Sequence, residues 1–127
     1  MSESCEVSFG QEADEMCEFW GKKIRTARKV HHCGECRKDI NPGDKYEYLA
    51  YMFDGVFHHE KVCLICAEIR DGFLEYGCAY CPGEMWSEIR DYVLPELTTT
   101  CYDRLKTPQA KTELQRRWIE WKGLQEA

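Results

Sequence analysis

Cys33-Gly34-Glu35-Cys36 and Cys63-Leu64-Ile65-Cys66 are the stretches that decide how this chain folds. In each, two thiols stand at positions i and i+3, so both sulfurs reach one ion from a single tight turn, and 26 residues (37–62) lie between the pairs. Two such pairs complete a tetrahedral set of four sulfurs with no open coordination position. Soft thiolates in that geometry suit zinc, with iron as the chemical alternative. Cys33, Cys36, Cys63 and Cys66 are therefore the expected metal ligands. The competing reading, buried thiols or disulfides, leaves the regular spacing unexplained. A thioredoxin-like redox role needs a βαβ setting that neither pair has.

The surroundings of the pairs differ. The first runs into Ile40-Asn41-Pro42-Gly43, a turn, and reads as a knuckle. The second opens a segment with Val62, Cys66, Ile69 and Phe73 at helical spacing, so Cys63 to about Tyr76 reads as a helix ending before Gly77. A helix N-terminus favours thiolate charge. Between the pairs, the aromatic-rich run Lys45–Phe53 and the run Val56–Val62 flank Asp54-Gly55, a strong hairpin signal. Knuckle, hairpin, then helix carrying the second pair is the order of a treble-clef zinc finger. A zinc ribbon would place both pairs on hairpin knuckles. The expected class is α+β: an acidic N-terminal segment (1–18), a treble-clef core (19–77) and a helical extension packing on it (78–127).

Outside that core the signals are weaker. Residues up to about 10 show no period and read as loose. Residues 12–20 suggest a short helix with Met16, Phe19 and Trp20 on one side and Gly21 as its stop. Pro82 suits the first turn of a helix through Met85, Ile89, Tyr92 and Val93, restarting at Pro95 through Leu97, Cys101 and Leu105. Thr107-Pro108 caps a last helix whose stripe Ala110, Leu114, Trp118 and Trp121 ends at Gly123.

The chain has nine cysteines in 127 residues. Cys78-Ala79-Tyr80-Cys81 repeats the spacing of the first two pairs without a partner pair. It either holds a second zinc with two of His31, His32, His58 and His59, or with Cys5 or Cys17, or it is a pair of free thiols capping the Pro82 helix. The sequence leaves both open. Cys5, Cys17 and Cys101 read as unpaired thiols.

Net charge is −6, with 31% charged residues and a mean hydropathy of −0.61. No apolar run reaches transmembrane length, and the acidic start lacks the features of a signal peptide, so a soluble cytoplasmic protein is expected. The charge alternates in blocks: −6 over residues 1–18, +5 over 20–45, −7 over 46–101 and +2 over 102–127. A protein built for duplex DNA usually carries a basic surplus over the domain. Here the basic stretch is local.

Phe19-Trp20, Ala27-Arg28-Lys29-x-His31-x-Cys33-x-x-Cys36, Ile40-x-x-Gly43-x-x-Tyr46, Asp54-Gly55, Lys61-x-Cys63-x-x-Cys66 and Ile69-Arg70 form a combined pattern over residues 18–73. With it the chain resembles a group of small phage- and prophage-encoded zinc-finger proteins of unassigned function. The resemblance implies a phage protein acting in bacterial cytoplasm and supplies no activity.

Three functional expectations follow. The first is a non-enzymatic, zinc-stabilised module that binds a host or phage protein and inhibits or modulates it, for instance a nucleic-acid-handling or defence complex; Trp118 and Trp121 beside Arg116 and Arg117 are a residue mix enriched at interfaces. Those tryptophans serve equally well as core packing. The second is nucleic-acid binding through Trp20, Lys22, Lys23, Arg25, Arg28 and Lys29, an aromatic beside a run of bases. The third is an HNH-type nuclease, since such enzymes build on treble-clef hairpins; His58 and His59 lie in the right element, but the Asp-His pair and the later Asn and His are absent.

Overall fold

The computed structural model describes residues 4–10, 18–74 and 82–126. Five strands come first: β1 (Glu18–Thr26), β2 (His31–His32), β3 (Asp39–Ile40), β4 (Lys45–Phe53) and β5 (Val56–Cys63). Three helices follow: α1 (Leu64–Phe73), α2 (Met85–Tyr92) and α3 (Pro108–Glu126). The architecture is α+β, with an antiparallel sheet in the order β1-β4-β5, a two-stranded ladder β2-β3 and the remaining helices towards the C-terminus.

The central hairpin forms as its sequence dictates. Asp54 and Gly55 both take positive φ, 52° and 76°, the requirement of a two-residue turn whose twist matches the strands. Across it Tyr51 stacks on His58 with ring centroids 5.2 Å apart. Val62, Cys66, Ile69 and Phe73 are all fully buried, so the helical stripe is the seam joining β5 and α1 to the core. Arg70 of α1 grips the Glu47 carboxylate of β4 with two parallel bonds, Nη2 donating to Oε2 at 2.8 Å, and both side chains are buried. Losing either partner would strand a charge in the interior.

Several expectations change. The segment expected to be a helix over residues 12–20 enters a strand at Glu18; residues 11–17 lie outside the described residues. Gly21 is no helix stop but follows a β-bulge at Trp20, after which Lys22 to Thr26 pair regularly with β4. Pairing along the edge of β4 outweighs the weak local periodicity. Pro82 and Gly83 form a turn, with Gly83 at φ 96°, and α2 begins only at Met85. The continuation after Pro95 is two short 3₁₀ segments, Leu94–Glu96 and Thr99–Arg104, in keeping with the β-branched Thr98-Thr99-Thr100. Helix α3 runs past Gly123 to Glu126.

The start of the chain is tied down rather than loose. Phe9 is fully buried, and its N–H donates to the Phe73 carbonyl at 2.9 Å. Arg104 donates to the carbonyls of Val7 and Cys5. Cys5 and Cys101, read from sequence as unpaired, form a disulfide, with Cα atoms 4.9 Å apart. Ninety-six positions separate them, and sequence spacing carries no signal for a closure of that length.

Closing so long a loop restricts the unfolded chain and stabilises the fold by about 2–5 kcal/mol. The double variant Cys5→Ser/Cys101→Ser should therefore melt well below the wild type under oxidising conditions. In excess dithiothreitol the two midpoints should coincide; a gap that survives reduction would assign the effect to packing.

Candidate metal centre

The four expected ligands come together. The sulfurs of Cys33, Cys36, Cys63 and Cys66 all lie within 4.8 Å of one another, and those of Cys36 and Cys63 are 3.9 Å apart. A tetrahedral zinc with Zn–S bonds of about 2.3 Å needs sulfurs roughly 3.8 Å apart. The spacing and the donor chemistry fit that ion.

Each pair is positioned by its own backbone. In the knuckle, Cys33 N–H donates to the Lys38 carbonyl and Arg37 N–H to the Cys33 carbonyl, both at 2.9 Å, and Arg37 takes a left-handed φ of 67°. The β2-β3 ladder pins the knuckle's base through His31 opposite Ile40 and His32 opposite Asp39. Gly34 lets the turn lie against β5. Its N–H donates to the Lys61 carbonyl at 2.8 Å, and a Cβ there would collide with the Glu60 carboxylate. On the other side Cys63 is the N-cap of α1, accepting from Cys66 N–H at 3.5 Å. The second pair thus sits at a helix N-terminus, where the dipole favours thiolate.

Backbone N–H groups of Glu35, Cys36 and Cys63 point at Cys33 Sγ, at 3.4, 3.5 and 3.3 Å. The Trp86 indole N–H donates to Cys66 Sγ at 3.4 Å. Cys33 and Cys66 are fully buried, Cys36 and Cys63 half-buried. Their titrations are strongly linked. Cys33 is driven far below its ordinary value, first by the thiol of Cys36 and then by those of Cys63 and Cys66. Cys66 and Cys63 are pushed far up, each first by Cys33. Cys36 is lowered to about 7; Cys33 pushes it up, and the thiols of Cys63 and Cys66 outweigh that push. Charge falls on Cys33 and partly on Cys36, while Cys63 and Cys66 keep their protons. A dication is what allows all four to ionise together.

The site is also wired into the C-terminal helices, which nothing in the sequence pattern announced. The Glu35 carboxylate, buried in the knuckle, accepts from Gly83 N–H at 3.0 Å and Met85 N–H at 3.1 Å, capping α2. Glu113 of α3 binds Lys38 of the knuckle at 3.2 Å, Arg116 at 2.7 Å and Arg117 at 2.9 Å. Arg117 in turn lies 4.0 Å over the Trp86 ring. Metal site, α2 and α3 form one connected network.

The other candidate residues are placed as follows. Cys17, Cys78 and Cys81 lie outside the described residues, and among the described residues no second cluster of ligand-type side chains forms. His32 pairs with Asp39 at 2.9 Å, and His31 packs near Tyr46. His58 and His59 stack on Tyr51 and Tyr48, on opposite faces of the sheet. The basic residues do not form one row: Lys23 and Arg25 share a face of β1, Lys22 lies on the other, and Arg28 and Lys29 stand in the turn before β2. Trp118 and Trp121 are half-buried, each packed against the core.

Comparison of the chain with protein-family models, with curated proteins and with solved structures finds no match in any of the three. Among the described residues no helix is long and apolar enough to cross a membrane.

Two outcomes check this site. Cys66→Ser should lower bound zinc by one ion per chain in elemental analysis, and stripping the ion with chelator should unfold the chain, since structural zinc contributes roughly 10–16 kcal/mol in small domains. Zinc content unchanged by Cys66→Ser would assign the ion elsewhere. Glu113 supplies a second check. Burial pushes its carboxyl up, but Arg116, Arg117 and Lys38 together hold it down at about 2. A carboxyl depressed on folding contributes its stability above its unfolded pKa and loses it as pH falls through the folded one. The deficit of Glu113→Gln, on the order of 1–2 kcal/mol given the half-exposed Arg116, should be full above about pH 5 and shrink towards pH 2. Denaturant midpoints of the zinc-loaded proteins at pH 7 measure the full deficit, and the gap should narrow as pH is lowered for as long as the ion stays bound.

Proposed function

We propose that this chain is a non-enzymatic, zinc-stabilised treble-clef module of the phage-encoded kind, which acts by binding a host or phage protein. The observation that carries the reading is the closed sulfur cage: four protein donors around one position, two of them fully buried. An ion there has no vacant site for water or substrate and serves to hold the fold. The order of knuckle, β4-β5 hairpin and α1, with Cys63 and Cys66 at the helix start, supports the treble-clef assignment. The divergence of His58 and His59 onto opposite faces supports the non-enzymatic one, because an HNH-type centre needs its histidines to converge.

The surface best suited to a protein partner is a groove of about 460 Å³ between α2 and the end of α3. Trp86, Leu94, Trp121 and Leu124 line it, and Leu124 is 72% exposed. Half-buried tryptophans beside arginines are the side chains that dominate binding energy at interfaces. Trp121 belongs to core and groove alike.

The zinc-loaded chain, immobilised and passed over bacterial lysate, should retain a partner in stoichiometric amount. Leu124→Glu, which places a charge in the groove without touching the core, should reduce retention at least ~10-fold while leaving zinc content intact. Retention of no stoichiometric partner, or equal retention by Leu124→Glu, would sink the proposal.

A further inference from the structure

On the sheet face opposite the Glu47–Arg70 pair, bases gather towards the Tyr46 end. The strand register sets Lys23, Tyr48 and Lys61 side by side across β1, β4 and β5, with Arg25 opposite Tyr46 in the next same-face row. Arg25 lies 3.8 Å over the Tyr48 ring, and His59 stacks on the same ring at 5.2 Å. Beyond Tyr46 the face opens into a groove of about 910 Å³ lined by Arg25, Thr26, Arg28, Lys29, His31 and Tyr46. Among the described residues that lining holds three permanent cations and no carboxylate.

Among the described residues, none of Lys23, Arg25, Arg28, Lys29 and Lys61 has a carboxylate at ion-pair distance. The protein as a whole carries −6. Four of its acids are engaged elsewhere: Glu113 with three bases, Glu47 with Arg70, Glu35 and Glu68 at helix starts. Three cations on the face and two in the adjoining turn, none paired among the described residues, repel each other, and a polyanion relieves that repulsion.

We propose that this face and groove form a binding site for the phosphate backbone of single-stranded nucleic acid. The groove is far larger than one phosphate requires. Same-face positions on a strand recur about every 6.8 Å, so the cations form a track rather than a point. Rings lie on the same face: His59 is exposed and rests one side on Tyr48, which Arg25 and His59 already cover, and Phe57 is 53% exposed. A basic groove that follows the backbone beside rings that stack on bases is how single strands are held without sequence preference. The site departs from the basic stretch read in the sequence, since Lys22 faces away and Lys61, from another strand, joins it. It does not depend on the protein-binding groove between α2 and α3.

The probe is a fluorescent oligothymidylate of about 20 nucleotides, longer than the roughly 4–16 nucleotides that one small fold covers. Titrated with the full zinc-loaded chain, its log affinity should fall against log salt with a slope of about −3 to −3.5 for five phosphate contacts. Arg28→Gln/Lys29→Gln, in an exposed turn, should make that slope shallower by about 1.4. Lys61→Gln, on a different element, should make it shallower by about 0.7, and Lys22→Gln should leave it unchanged. Zinc content, equal in all variants, confirms that each is folded. No binding at low salt, a slope near zero, or an equal effect of Lys22→Gln would overturn the proposal. So would a polyglutamate peptide that competes as well as the oligonucleotide, since the site would then read protein carboxylates.

Discussion

Four sulfurs crowded into one small volume cannot all carry charge unless a cation sits among them, and this constraint organises the molecule. It joins a turn to a helix start across the hairpin, so β4 and β5 are bracketed at one end by the knuckle and at the other by their own Asp54-Gly55 turn. The sheet contributes its own hydrogen bonds, but its position relative to α1 is set where Cys63 ends β5 and caps the helix. The buried Glu47–Arg70 fork secures the same junction one layer deeper.

The knuckle reaches further than its ligands. Glu35 stands between two of them and spends its carboxylate on the N–H groups of a helix nearly fifty residues on. Lys38, just after, meets Glu113 on α3. Glu68 of α1 does for α3 what Glu35 does for α2: it accepts from Thr107, in both backbone and side chain, at the helix start. An acid on one element thus caps the next in both cases, which explains how an acidic chain orients helices whose own capping signals are modest.

The parts legible in the sequence are those governed by short-range rules. Cysteine spacing announced the cage, Asp54-Gly55 the hairpin, and the Val62-Cys66-Ile69-Phe73 stripe the helix, because each pattern spans one turn or one face. The parts that were hidden depend on partners far along the chain. Glu18 to Thr26 has no strand alternation of its own and becomes a strand only because β4 offers an unpaired edge. Phe9 looked like part of a loose tail, and its burial against Phe73 is invisible without the fold. The Cys5–Cys101 closure and the Trp86 bond to Cys66 are of the same kind.

Those separations order the events of synthesis. All four ligands, Cys33 to Cys66, leave the ribosome before any residue of α2 or α3 does. At roughly 5–20 residues per second, the nascent chain has seconds in which knuckle, hairpin and α1 can close on an ion alone. The acceptor carboxylates of Glu35 and Glu68 are then already in place when the later helices emerge. The N-terminal strap waits for Cys101, which emerges after α2 and before α3. The first residues made are among the last to be fastened.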